Sequence, residues 1–438
     1  MTLRIPDLLP EGLLLAAVVF GPLAFGATEP WSVAILEGLL FALALSCALR
    51  GKSNWGHPIY RTMLPAAGIL LLIGLAQFFN PRLVSTPVSL LPFTAGKEGT
   101  GGALILWGAY AALLFGAPQA LGTNAALRRA LWVVFLLGAF IAVVGLMQRG
   151  QGNDAYYGLR PIRHGNPFGP YTNKNHAASV LVLAAFAGAG LWLSRLAGIR
   201  RTEQRGKVLE AWMLQVLIAF LLAVIVLAIV HIRARGAIHA MALAAAIVGT
   251  ASLGHLKRRS LRRVGAAAVA AAAAVFLGII LRDPFWIGNE KKESSAEYRM
   301  TLYRTSLEIA RDFPVFGTGL GSYQKVFPAY WKLDSPEGKI EHAHNDWLEL
   351  LTESGWAGLT AYLAGLLAAF SVAARSWWTN PASDMRCLAG ACLAAALSFS
   401  LHGLVDFSFQ IPANAVLFLT LLVCACGVFS RNGQPYEI

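Results

Sequence analysis

The sequence predicts an all-α, polytopic membrane protein of about twelve transmembrane helices, with a partly helical cap inserted between the ninth and tenth spans. Three observations predict it. Of 438 residues, 56% are hydrophobic and only 13% charged, whereas a soluble chain carries about 25% charged residues. Apolar runs long enough to cross a bilayer recur along the whole chain, and the mean hydropathy is +0.57. Several runs are rich in alanine and glycine, notably 265–274, which suits close helix packing in lipid. The same composition excludes intrinsic disorder, a coiled coil and a secreted disulfide scaffold.

In chain order the expected spans cover roughly 11–29, 31–49, 62–80, 102–121, 130–148, 176–194, 211–231, 237–254, 264–281, 344–374, 387–407 and 411–430. This divides the chain into spans one to nine (1–281), a cap (282–343), and spans ten to twelve with a tail (344–438). The first run lacks a basic head and a cleavage site, so it is expected to be a span and not a signal peptide. Cys47, Cys387, Cys392, Cys424 and Cys426 all fall in or at the ends of apolar runs. Packing as small apolar side chains is their expected role.

Basic residues set the orientation. With an even number of spans, one side collects Arg50, Lys52, Arg61, Arg128 and Arg129, with basic clusters in 195–207 and 257–263. Those loops are short, so the positive-inside rule makes them cytoplasmic. The formal net charge of +13 then faces anionic lipid heads. Nucleic-acid binding is a poor reading, because the basic residues are split among short loops with no reader motif.

The other side carries loops 81–101 and 149–175 and the long stretch 282–343. A helix is expected from Glu297 to Asp312, with Tyr298, Leu302, Thr305 and Ile309 on one face. It stops at Asp312-Phe313-Pro314, before the glycine-rich Phe316-Gly317-Thr318-Gly319-Leu320-Gly321. Such a segment is a folded cap rather than a linker.

Three places interrupt the apolar pattern with costly groups. At Ile232-Arg233-Ala234-Arg235-Gly236, two arginines occupy a tight turn on the outer side. They either snorkel to headgroups or hold an anion; the positive-inside rule favours the anion, which guanidinium grips with a fork of donors. At Glu341-His342-Ala343-His344-Asn345-Asp346-Trp347-Leu348-Glu349, a polar cluster opens an apolar helix. His344 there is either a capping residue or a proton acceptor, since a helix N-terminus lowers an imidazole pKa. Asp346 or Glu349 is the alternative base. His342 and His344 lack the i,i+4 spacing of a helical two-histidine metal site, so no metal and no cofactor is expected. At His402 and Asp406, i,i+4 spacing puts both on one helix face, as a structural or a catalytic pair. Glu29, Gln148, Arg149, Arg160, Arg163, Lys174, Arg299 and Arg304 are expected on the same side. Together they describe an outward-facing cationic cavity suited to a lipid pyrophosphate.

The segments Tyr298-Arg299-Met300-Thr301-Leu302-Tyr303-Arg304, Asp312-Phe313-Pro314 with Gly317, Gly319 and Gly321, and Ala343-His344-Asn345 with Leu348-Glu349 resemble the O-antigen ligase and polymerase superfamily. Arg235-Gly236 resembles that family's "SRG" turn, with Ala234 where serine is usual. Thr172-Asn173-Lys174-Asn175 resembles its "N-x-N" helix start. The resemblance covers roughly 165–425. It implies a metal-independent, GT-C-like glycosyltransferase of lipopolysaccharide biosynthesis in the bacterial inner membrane, working at the periplasmic face. Its donor would be an undecaprenyl-pyrophosphate-linked glycan, and its acceptor lipid A-core or another glycan. By position, Arg235 and Arg299 would hold the pyrophosphate, with Arg233 and Arg149 beside them, and His344 would be catalytic. Asn345, Asp346, Glu349, Asn173, Asn175, His402 and Asp406 would support the site. A polymerase with the same donor is the alternative. An anion transporter is a third reading, disfavoured because no paired repeats with broken helices are visible.

Overall fold

A computed structural model describes residues 5–51, 55–82, 91–152, 155–157, 160–161, 165–199, 205–255, 259, 263, 290–331 and 340–427. Among these, the protein is an all-α bundle with one two-residue antiparallel ribbon, β1 (Ala155–Tyr156) and β2 (Arg160–Pro161). The helices are α1 (Ile5–Leu23), α2 (Pro30–Arg50), α3 (Met63–Phe78), α4 (Lys97–Ala120), α5 (Asn124–Gly150), α6 (Lys174–Ile199), α7 (Arg205–Ile232) and α8 (Arg235–Ser252). They continue with α9 (Glu290–Asp312), α10 (Tyr323–Val326), α11 (Asp346–Thr379), α12 (Ser383–His402) and α13 (Pro412–Cys426). Eight are long and apolar enough to cross a membrane, and Leu8–Leu23, α3 and α13 are shorter apolar helices. The expected span 264–281 lies outside the described residues, as do Arg163 and much of both basic clusters.

Local chemistry sets the helix ends. Pro30 opens α2, where its missing N–H costs nothing, and Glu29 and Ser32 form a capping box around it. The Thr123 hydroxyl caps α5 by accepting from Ala126 N at 3.1 Å. Helices pack closely where glycine faces a neighbour: a Cβ at Gly138 would lie 2.1 Å from Ala184 Cβ on α6. Helix α13 sits at the centre, with every residue buried. Helices α7 and α8 leave most of their surface facing outward. At the end of the bundle away from the site, Arg128 pairs with Asp384 at 2.9 Å and Arg129 with Glu11 at 2.5 Å. Cys47, Cys392, Cys424 and Cys426 are buried, and all five cysteines are free.

The expected single span 344–374 is not continuous. Gly355, at φ 64 and ψ −171, breaks α11, and the glycine-rich turn before α10 repairs the gap. Thr318 N and Gly319 N donate to the Thr352 and Glu353 carbonyls at 2.9 and 3.0 Å, while Trp356 N and Ala357 N donate to Pro314 and Val315 at 2.8 and 3.0 Å. Buried Gln77 on α3 completes the repair. Its amide donates to Phe316 O at 2.6 Å and Glu353 O at 3.0 Å and accepts from Leu320 N at 3.1 Å. A Cβ at Gly317 would lie 2.4 Å from the Glu353 carbonyl carbon, so only glycine fits there.

Above this joint, Phe93, Leu302, Ile309, Phe313, Tyr323, Val326, Phe327 and Ala343 pack as a small core of their own. Helix α9 starts seven residues earlier than its hydrophobic stripe suggests, because 290–296 is charged and carries no periodic signal.

Candidate active site

The loops between α1 and α2, α5 and α6, α7 and α8, and α12 and α13 meet the head of α11 at one end of the bundle. His344 immediately precedes the α11 cap and adopts φ 51, a left-handed conformation that histidine reaches more readily than most residues. Several bonds hold it there. Tyr303 Oη donates to the His344 carbonyl at 3.0 Å. The Asn345 side chain caps α11 by accepting from Leu348 N at 3.0 Å. Buried Glu349 accepts Ala343 N and His342 Nδ1, each at 2.8 Å. Sequence reading left Glu349 open as a base; here both its oxygens are committed to shaping the turn.

Phe407 stands among three imidazoles. Its ring centre is 4.5 Å from His342 (stacked), 4.8 Å from His344 (edge-on) and 4.6 Å from His176 (edge-on). Asp406, 1% exposed, has carboxylate oxygens 3.5 Å from His402 Nε2 and 3.8 Å from His176 Nε2, and accepts Phe407 N at 2.9 Å. His402 Nδ1 is 2.8 Å from Ser179 Oγ, which is 2.7 Å from Ser408 Oγ. Burial alone would raise the Asp406 carboxyl. The His402 and His176 imidazoles and the Phe407 amide outweigh it and hold Asp406 below its ordinary value.

Burial likewise lowers His344. Asp406 and Glu349 pull it up, but Arg299 and His342 add to the burial effect, leaving the imidazole below its ordinary value. His344 Nδ1 is buried without a hydrogen-bond partner. His342 goes the other way: burial depresses it, but Glu349, with Glu353 and Glu341, holds it above its ordinary value.

Arg299 and the backbone next to Arg235 both reach the turn that follows α12. Gly236, second residue of α8 after Arg235, is so close that a Cβ would lie 2.7 Å from Val405 Cγ2 and 3.0 Å from His402 Cδ2. Arg299 Nη1 donates to the Val405 carbonyl at 3.3 Å. Lys174 lies within electrostatic reach of Arg149, Arg233 and Arg235, and Arg149 donates to Asn166 Oδ1. Asn173 and Asn175 shape the start of α6, with Asn173 Oδ1 accepting Asn175 N at 2.9 Å. Asp346 fastens α11 to its neighbours: its amide donates to Gly403 O at 2.8 Å and Oδ2 accepts Phe409 N at 3.2 Å.

Other expected members are not gathered in. Glu29 and Arg160 pair with each other at 2.7 Å, and Arg304 is exposed on α9. Sequence reading overlooked His176, Ser179, Phe407, Ser408 and Gln77. His176 and Ser179 stand three apart at the start of α6, which was the available signal. Phe407 carries none. Among the described residues, no group of three or more His, Cys, Asp or Glu side chains is placed to hold a metal ion.

Such an arrangement defines a polytopic helical membrane protein whose polar site sits where a small cap meets the bundle. Residues 217–363 match the family model Wzy_C, described as O-antigen ligase. The match runs from α7 into α11 and includes Arg233, Arg235, Arg299 and His344; it supports the O-antigen ligase superfamily and an O-antigen ligase- or polymerase-type function. No curated protein matches the chain.

Proposed function

We propose that the protein is an O-antigen ligase-like glycosyltransferase. It moves a glycan from undecaprenyl pyrophosphate to lipid A-core or a similar acceptor, at the periplasmic face of the bacterial inner membrane. The observation that carries this reading is the juxtaposition of His344, held by three neighbours beside Asp406, with a 402–405 turn that Arg299 bonds and that Gly236, next to Arg235, packs against. Arg235 and Arg299 grip the donor diphosphate, and Arg233 and Arg149 extend the positive field toward it. Pyrophosphate is already a good leaving group, so fixed guanidinium charges are enough to offset the charge that develops as the sugar–oxygen bond breaks.

His344 takes the proton from the attacking acceptor hydroxyl. A depressed imidazole pKa keeps it neutral, and so able to accept, at neutral pH. Asp406 faces the imidazolium that results, and α9 packs against α11 beside it. Deleting the gene and examining the glycans tests the reading. Carrier-linked polymer that never reaches a lipid acceptor supports ligation, single repeat units on the acceptor indicate the polymerase alternative, and unaltered glycans reject both.

A further inference from the structure

The ring of Phe407 holds a position that the proposed chemistry leaves unused. It is half-buried in the turn after α12, and imidazoles surround it. His176 comes from α6, and His342 and His344 come from the head of α11. Their ring centres lie 4.6, 4.5 and 4.8 Å away. Two of these imidazoles carry buried nitrogens without a hydrogen-bond partner, His344 Nδ1 and His176 Nε2. Unmatched buried polar atoms are costly, and a phenyl ring has no donor or acceptor with which to match them. The carboxylate that could match them belongs to the preceding residue, Asp406.

Asp406 is held by other groups. Its oxygens lie 3.5 Å from His402 Nε2 and 3.8 Å from His176 Nε2, and it accepts the Phe407 amide at 2.9 Å. It still acts on His344: burial lowers that imidazole, and Asp406 is the charge that most opposes the lowering. The remaining charges on His344 come from Arg299 on α9, His342 before α11 and Glu349 on α11, and His176 on α6 is close enough to interact with it. Asp406 acts through space, because His344 makes no bond to the carboxylate and packs edge-on against Phe407 instead. A direct bond to a carboxylate raises the proton affinity of an imidazole, and a base already protonated accepts nothing.

We infer that Phe407 is a positioning residue for His344: its ring keeps the imidazole from bonding to Asp406, so that the base stays free to take the acceptor proton. The assignment rests on the glycan-transfer reading above. The test uses the full chain in lipid nanodiscs, with histidine labelled by ¹³C at Cε1; the signal lost in His344→Gln identifies His344. Phe407→Ala removes the spacer, and His344 then titrates about one pH unit or more higher. The acid limb of transfer moves upward with it, and kcat near neutrality falls while the donor KM holds. Phe407→Leu, which restores apolar bulk, brings the titration back toward that of the wild type. In an Asp406→Asn background, Phe407→Ala raises nothing, because the carboxylate it would admit is gone. Where Phe407→Ala fails to insert, Phe407→Val carries the same comparison. A ring that is only structural would lower the melting temperature and leave the titration in place, and that result overturns the inference. So does an upward shift that persists in Asp406→Asn. A titration that depends on both residues, in a protein that transfers no glycan, keeps the hold of Phe407 on His344 and rejects the transfer reading. Normal transfer with a titration indifferent to Phe407 does the reverse.

Discussion

His344 is held in a conformation few side chains accept, next to Phe407, with one ring nitrogen buried and uncommitted. Its pKa lies below the ordinary 6.5, so the base form is lost only as the pH falls through that lowered value. Wild-type transfer is therefore expected to show an acid limb below 6.5, absent from the residual activity of His344→Gln. His344→Ala should insert normally and lose roughly 10²–10⁴-fold in rate. Arg299→Gln removes a charge that depresses the imidazole, so the limb should move to higher pH. A limb that survives in His344→Gln transfers the role to another group. Arg235→Lys keeps the charge but loses the planar fork, and should impair transfer nearly as much as Arg235→Ala; near-normal rates in both would leave Arg235 only snorkelling.

His344 and Arg235 are legible in the sequence because charged groups at the ends of apolar helices are expensive and need a reason. Arg299 is legible only through the motif resemblance, since on a charged helix it looks like any solvated arginine. Phe407 and His176 were hidden for the opposite reason: an aromatic near an interface and a histidine at a helix start are ordinary there.

At the scale of elements, the eight apolar helices long enough to cross a membrane among the described residues are legible in hydropathy, because bilayer thickness sets the length of a span. The break in α11 is not: Thr352-Glu353-Ser354-Gly355 interrupts the apolar run there, but the repair that makes a break possible comes from residues 313–321 and Gln77, far away in sequence. Gln77→Leu leaves the Phe316 carbonyl and the Leu320 amide without their buried partner, at about 1–3 kcal/mol for each unmet group, while the Glu353 carbonyl keeps the Gly319 amide. Melting of the purified protein should fall by several degrees, with proteolysis appearing first between α9 and α11; an unchanged melt and digest would mean the joint stands without Gln77. The His342–Glu349 contact shows a pH dependence of its own. Since the folded His342 pKa is raised, its stabilising effect is complete below 6.5 and fades as the pH rises through the elevated value. The melting difference between wild type and His342→Gln should shrink accordingly toward alkaline pH.

For the molecule as a whole, the cationic loops predict which end faces the cytoplasm, and the site lies at the other. Gln151→Cys, exposed beside the site end, should react with an impermeant maleimide added to intact spheroplasts. Thr379→Cys, exposed at the opposite end, should react only after lysis. The reverse pattern would put the histidine and arginines on the wrong side for a periplasmic acceptor.

Helix α13, sheathed on all sides, touches α1, α4 and α5 as well as its neighbours α11 and α12. It leaves the ribosome long after the helices that enclose it, so the earlier spans must wait in the bilayer around a gap that lipid or a chaperone fills. Assembly is then gated by the arrival of one late segment.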